Sequence, residues 1–204
     1  MLEVSNLACS RGDHPLFTDL SFALEAGELL QVQGENGKGK TSLLRTLCGF
    51  MQPVAGEIRW RGENIEELDE DYYAELLYLG HHNAIKDELN ALENLQISAG
   101  LAGIALSEKE AVAALRRMGL KGREHLPVKV LSQGQRRRAA LARMLVSDAP
   151  LWVLDEPLTA LDVGAVGLIQ ELLGEHLARD GMVIFTTHQP LVVEGVELRR
   201  LVLS

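Results

Sequence analysis

Gly34-Glu35-Asn36-Gly37-Lys38-Gly39-Lys40-Thr41 decides the fold. The stretch fits the pattern G-x-x-x-x-G-K-[ST] without a gap. Ahead of it, Glu28-Leu29-Leu30-Gln31-Val32-Gln33 reads as a buried strand; behind it, Ser42-Leu43-Leu44-Arg45-Thr46-Leu47 reads as the opening of a helix. Strand, glycine loop and helix form the setting in which this pattern cradles phosphate. Glycines let successive backbone N–H groups turn inward around an anion, and the positive end of the helix faces the same point. On this reading Gly34 through Thr41, with Ser42, form the binding loop. Lys40 reaches the β/γ-phosphates of a nucleotide such as ATP, and the Thr41 hydroxyl holds Mg²⁺. The competing reading is a glycine-rich turn that binds nothing, and the flanking strand and helix argue against it. Lys38 stands where such loops carry a small residue. A lysine facing solvent at the loop's shoulder and an extra cation near the γ-phosphate or a subunit interface both fit.

A second chemical signal lies in Trp152-Val153-Leu154-Asp155-Glu156, an apolar strand that ends in two carboxylates. Asp155, at the strand tip, is the candidate for the Mg²⁺ shell, and Glu156 for orienting or deprotonating an attacking water. One strand later, Met182-Val183-Ile184-Phe185 runs into Thr186-Thr187-His188, which places His188 to reach a γ-phosphate. A third signal is Leu131-Ser132-Gln133-Gly134-Gln135, at the start of a helix predicted to run to Val146. Ser132 with Gln135 makes a capping box. The same helix start also offers amides, a hydroxyl and a dipole end to a second anion. Two phosphate-recognition points in one chain suggest two chains sharing each nucleotide. Arg136-Arg137-Arg138, in the first turn of that helix, opposes the dipole and reads as a set of contacts to a partner or to acidic neighbours.

The remaining chain is predicted to be α/β. Strands are expected at Leu2–Leu7, Ser21–Leu24, Gly56–Gly62, Leu76–Leu79 and Leu198–Leu203, and a helix with Val166, Ile169, Leu173 and Leu177 on one face. From about Asp87 to Val130 the texture is helical, with a capping box at Ser107-Glu108-Lys109-Glu110 and a stop at Gly119. At 204 residues and 47% hydrophobic content the chain suits one large domain, or one domain with an insert. Residues 1–82 and about 131–204 are expected to form a nucleotide-binding core, and about 83–130 a helical subdomain. Cys9 and Cys48 are in no metal spacing and read as buried, reduced thiols. The net charge of −9 argues against nucleic acid as a partner. No stretch approaches the ~20 apolar residues of a bilayer span, so a membrane role is expected to come through partner subunits.

Taken together these residues resemble the ATP-binding cassette (ABC) family over essentially the whole chain. The resemblance implies a phosphate-loop ATPase core with an antiparallel β subdomain and a helical insert. It also implies hydrolysis of ATP with Mg²⁺ between two copies arranged head to tail. Each nucleotide would lie between the Lys40 loop of one copy and Ser132, Gly134 and Gln135 of the other. Ala160-Leu161-Asp162 would form the D-loop, and His188 the switch histidine. Within the family, Leu76–His81, Ile85-Lys86, Ala91–Leu95 and Thr186–Leu191 resemble the ATPase subunits of cytochrome c maturation haem exporters. That implies a bacterial cytoplasmic subunit, held peripherally on the inner face of the membrane by integral partners, with the surface from roughly Ile85 to Leu95 as the dock. A soluble cassette of a cytosolic assembly machine, such as one for iron–sulfur clusters, is the alternative. Three positions depart from the family pattern. Arg11 stands where an aromatic stacks on adenine, and a guanidinium can also stack on a π-face. His82 stands where a glutamine meets Mg²⁺ and water, and histidine can hydrogen-bond but, unlike glutamine, is an ionisable side chain. Gln133 replaces a signature glycine.

Overall fold

The computed structural model describes residues 1–12 and 14–203. Along the chain run β1 (Leu2–Arg11), β2 (His14–Leu24), β3 (Leu29–Gln33), α1 (Lys40–Leu47), β4 (Ala55–Trp60), β5 (Glu63–Asn64), α2 (Ile65–Leu68), α3 (Glu70–Ala74), β6 (Leu76–Leu79), α4 (Ala91–Leu101), α5 (Glu108–Arg117), α6 (Gln133–Leu141), β7 (Leu151–Asp155), α7 (Val163–Leu177), β8 (Met182–Thr186) and β9 (Leu198–Val202). They form a four-stranded antiparallel sheet, β2-β1-β4-β5, and a five-stranded parallel sheet, β6-β7-β8-β3-β9.

The antiparallel sheet is longer than its sequence suggests. β1 buries Leu2 and Val4, then Leu7 and Cys9, so the inward phase slips by one residue at Asn6, where φ is 49°. The register against β4 shifts between Ser5 and Ala8. This is a β-bulge, which lets a strand continue after its alternation has broken. The expected end at Leu7 was the bulge, not the end of the strand. Likewise β2 begins at His14 rather than Ser21.

The parallel sheet lies between two apolar layers. β7 and β8 are buried along their whole length, as strands covered on both faces must be. Successive residues alternate between the layers. Leu30, Val32, Val153 and Ile184 join Leu43 and Leu44 of α1 and the antiparallel sheet. Leu29, Trp152, Leu154, Val183 and Phe185 join α7 and the helical segment. Cys9 and Cys48 are buried free thiols in the first layer, and burial pushes the Cys48 thiol far above its ordinary range.

In the helical segment, Asn90 and Ser107 cap α4 and α5 with reciprocal capping boxes. Ala91, Leu92 and Leu95 of α4 are buried with Ala111 and Leu115 of α5, and Ile85 packs against the same cluster. The stretch from Ile85 to Leu95 therefore turns its apolar side chains inward. The exposed apolar side chains nearby are Ile97 and Leu101, farther along α4. α6 also differs from expectation. It ends at Leu141 and tightens into a 3₁₀ turn, Ala142–Leu145, instead of continuing to Val146. A 3₁₀ turn is a common way for a helix to close, and from this one Arg143 donates to the Tyr78 carbonyl at 3.3 Å. Among the described residues no helix is long and apolar enough to cross a membrane.

The inner face of α7 carries Ile169, Leu172, Leu173, His176 and Leu177, while Val166 is only half-buried. His176 is stacked on Trp152 at 3.8 Å between ring centroids, and its Nε2 lies 3.2 Å from the Pro150 carbonyl. Burial lowers its pKa from 6.5 to about 4. A folded state that refuses a proton loses stability where the unfolded chain accepts one. This contribution is therefore intact above about pH 6.5 and lost as pH falls from there toward about 4. Urea unfolding of wild type and His176→Phe across that window is expected to give a gentler fall in midpoint for the variant. Parallel curves would show that His176 is not the titrating group.

Candidate active site

The parallel strands all end on one side, and the candidate residues lie on the segments that leave those ends. β3 runs into Gly34, β6 into Gly80-His81-His82, β7 into Glu156, and β8 into Thr187-His188. The phosphate loop closes on Gly39, the N-cap of α1, at φ 91° and with no side-chain cap. The first amides of α1 are thus left for an outside acceptor. Lys40 folds back over the loop, its Nζ donating to the Gly34 carbonyl (2.7 Å) and the Glu35 carbonyl (3.1 Å). Glu35, Asn36 and Gly37 are exposed, and Ser42 is half-buried with its carbonyl accepting from Thr46 Oγ1 at 3.0 Å. Lys38 is half-buried rather than fully solvated. Its amide donates to the Glu35 carbonyl at 3.3 Å, and its side chain joins no ion pair among the described residues.

Asp155 is 2% exposed, and both its oxygens are engaged. Oδ2 accepts from Thr41 Oγ1 at 2.8 Å and Oδ1 from Thr186 Oγ1 at 2.7 Å. A threonine hydroxyl and a carboxylate held together at the start of α1 are the hard oxygen donors that suit Mg²⁺. Glu156 occupies a left-handed turn at φ 51°. Its amide donates to the hydroxyl of Thr186 (3.0 Å) and to that residue's carbonyl (3.2 Å). Its Oε2 accepts from the His188 amide at 3.3 Å. Its Oε1 is buried with no hydrogen-bond donor, although His188 Nε2 lies 3.5 Å away. A buried carboxyl oxygen without a donor is a ready acceptor for water. Thr186 receives no role of its own in the sequence reading. The available signal was a hydroxyl in an otherwise apolar, fully buried strand.

Among the described residues no hydrogen bond joins Ser132, Gly134 or Gln135 to the Lys40 loop, and none of the three lines the cavity shared by Thr41 and Asp155. Ser132 caps α6, its Oγ accepting from the Gln135 amide at 3.3 Å, while Gln135 Oε1 accepts from the Ser132 amide at 3.0 Å. The hydroxyl proton of Ser132 remains available to a further acceptor. A Cβ at Gly134 would lie 2.8 Å from the Ala160 carbonyl, so glycine is needed for the D-loop to pack on α6. The arginine run, expected to contact a partner or acidic neighbours, does not act as one cluster. Arg137 is 4% exposed and turned toward the strand ends. Arg136 donates to the Lys129 carbonyl (2.7 Å) and pairs with Asp87 (3.2 Å), and Arg138 donates to the Met118 carbonyl (3.5 Å). Arg136 thus meets an acidic neighbour, the Asp155 and Glu156 charges favour the Arg137 cation, and the three side chains diverge. The cause is the helix spacing of about 100° per residue, which sends three adjacent side chains in three directions.

His82 is exposed, and its ring lies edge-on to His81 at 5.6 Å. Both line a cavity of about 790 Å³ together with Thr41, Arg45, Tyr78 and Asp155. His82 thus faces the same space as the metal candidates. Arg11 is exposed at the β1–β2 turn, paired in register with His14. What β2 brings to the phosphate loop is Leu16 and Phe17, which a Cβ at Gly39 would meet at 3.0 and 3.3 Å.

The sequence pattern of the family described as "ABC transporter" matches residues 17–159. A protein of Nitrosospira multiformis, "Cytochrome c biogenesis ATP-binding export protein CcmA", is 55% identical over 203 residues, covering 100% of this chain and 98% of its own. The protein of the same name from Nitrosomonas europaea is 57% identical over 204 residues, covering 100% of this chain and 96% of its own. Among solved structures, a putative ABC transporter ATP-binding protein from Pyrococcus furiosus superposes with a TM-score of 0.84 at 27% identity, covering 99% of this chain and 96% of that one.

Proposed function

The chain belongs to the ABC transporter family, and on that footing we propose that it is the ATP-hydrolysing subunit of an export machine for cytochrome c biogenesis, with haem as the cargo class. Integral membrane subunits carry the pathway, and this chain supplies the energy from the inner face of the membrane. The observation that carries the catalytic reading is the unpartnered, buried Oε1 of Glu156 beside the Thr41–Asp155 pair. The cargo reading is supported by relatives 55% and 57% identical over 98% and 96% of their length, whose names specify export for cytochrome c biogenesis. The soluble assembly machine has no such support. We take residues 1–82 and about 131–204 as the core of one ATPase domain, and about 83–130 as its helical subdomain.

In this mechanism the amides at the start of α1 and the Lys40 ammonium hold the β- and γ-phosphates. Thr41 and Asp155 would hold Mg²⁺, which when bound offsets charge on the phosphate oxygens. Glu156 Oε1 accepts a hydrogen bond from water, orients it in line, and takes its proton as the oxygen attacks the γ-phosphorus and ADP leaves. His188 braces the γ-phosphate. We assign Ser132 and Gly134 to the γ-phosphate of a second copy, head to tail, a reading supported by the free hydroxyl proton of Ser132 and the lack, among the described residues, of any hydrogen bond from either residue to the Lys40 loop. Charge stabilisation and positioning supply most of the rate. The side chains of Phe50, Tyr73 and Leu101, which are 55%, 43% and 86% exposed, rim the groove that holds His82 and are suited to an apolar membrane partner.

Titration with MgATP is expected to saturate. Lys40→Ala removes one charged contact worth about 1.5–3 kcal/mol and raises Kd roughly 10- to 100-fold. Cells lacking the chain are expected to lose c-type cytochromes and to regain them with the parent but not with Lys40→Ala. Full cytochrome assembly in the deletion strain would remove the export reading.

A further inference from the structure

A guanidinium has five N–H donors in a rigid fork, and at Arg137 all of them are engaged. Nε donates to the Pro157 carbonyl (3.4 Å), and Nη2 donates to the carbonyls of Asp155 (3.3 Å) and Glu156 (2.8 Å). Nη1 donates to the Gly80 carbonyl (3.1 Å) and to Asn83 Oδ1 (3.1 Å). Half of the fork therefore grips the left-handed turn that aims Glu156, and the other half grips the loop that leaves β6. That loop is itself tied to the helical segment. The Lys86 amide donates to Asn94 Oδ1 at 2.7 Å, and Asn94 Nδ2 donates to the Lys86 carbonyl at 3.0 Å, with Asn94 in the first turn of α4.

Structural glue is the plainer explanation, but it fits the chemistry poorly. The buried cation forms no ion pair among the described residues, and although the nearby Asp155 and Glu156 charges favour it, the desolvation cost is the larger effect. Apolar packing would join the same elements without that cost. What an apolar side chain cannot do is fix two separate backbone segments relative to each other through directed bonds.

We propose that Arg137 is a positioning residue that relays the placement of loop 80–86, and through it the helical segment, to the turn bearing Glu156. The inference rests on the reading of Glu156 as the group that acts on water. A shift of the helical segment against the sheet pulls on Gly80 and Asn83 and is felt at the Asp155, Glu156 and Pro157 carbonyls. Hydrolysis then waits on the position of the segment whose outer surface meets the membrane partner.

Lysine has three donors on one nitrogen and cannot span both segments. Arg137→Lys is expected to lower kcat at least about tenfold, while KM for ATP stays within about twofold because the phosphate loop is untouched. Asn83→Ala, at a half-buried loop position, cuts a single bond and is expected to lower kcat about threefold, again with KM held. The double variant is expected to be no slower than Arg137→Lys alone, as members of one relay are non-additive. Fully multiplicative losses, or a loss appearing in KM, would overturn the relay. A second readout uses the full-length protein without nucleotide. Amide hydrogen exchange across residues 156–161 is expected to speed up in Asn83→Ala, although the substitution lies in a different segment. Unchanged exchange there overturns the proposal even if Arg137→Lys does not fold. Failure of the underlying reading looks different: Glu156→Gln would turn over at the parent rate while the exchange coupling persisted.

Discussion

Glu156→Gln is expected to bind ATP with near-parent affinity and to lose about 100-fold or more of kcat, the usual scale for a missing general base. The substitution keeps the side-chain volume and one oxygen for the His188 amide, which now donates to Oε2 at 3.3 Å. It leaves alone the turn that orients the side chain, since the Glu156 amide is held by Thr186 and its carbonyl by Arg137. What it removes is the charge on Oε1, the oxygen without a hydrogen-bond donor. Chemistry therefore fails while the phosphate loop, Thr41 and Asp155 remain intact. With hydrolysis blocked, ATP is expected to hold two copies together. Single-turnover kinetics and size-exclusion chromatography with and without MgATP check both halves. Turnover at the parent rate would mean that Glu156 is not the base.

Gly56→Ala is expected to be the most damaging small substitution for stability. Gly56 sits at φ 88°, and a Cβ there would lie 2.5 Å from the carbonyl oxygens of both Ser5 and Asn6. These are backbone atoms of the β1 bulge, so neither can swing aside as a side-chain tip would. Left-handed backbone costs alanine about 1–2 kcal/mol, and forced overlap adds about 1–3 kcal/mol. A loss of about 2–5 kcal/mol in urea unfolding follows. Gly62 supplies the control, because its φ is 89° and its Cβ would meet nothing within 4 Å. Gly62→Ala is therefore expected to show the backbone cost alone, about 1–2 kcal/mol. Equal losses at the two sites would mean that the bulge gives way and the close approach is not a constraint.

The two variants also separate what can be read along the chain from what cannot. Glu156 is legible because an apolar strand ending in Asp-Glu is a contiguous signal, and its chemistry depends on that ending. The same holds for Gly34 to Thr41 and for the caps at Ser107 and Ser132. Each is a local pattern whose hydrogen bonds close within a few residues. Gly56 is different. The sequence marks it only as the glycine opening a strand, and its constraint comes from Ser5 and Asn6 on another strand. The bulge at Asn6 misled for the same reason, since it cuts an alternating pattern that tertiary pairing then carries through to Arg11.

The arginine run makes the distinction sharpest. Three adjacent cations in a sequence look alike. Folded, Arg136 reaches Asp87, Arg138 reaches Met118, and Arg137 alone enters the interior to meet Gly80, Asn83 and the carbonyls of Asp155 to Pro157. Four of its five acceptors are main-chain carbonyls, a group that every residue carries and no sequence advertises. The phosphate loop, the carboxylate pair and the family were thus written in the order of the residues, because side-chain identity at short range sets them. The Asp155–Thr186 bond, the free oxygen of Glu156 and the arginine fork came only with the packed chain, because backbone atoms from distant segments define them.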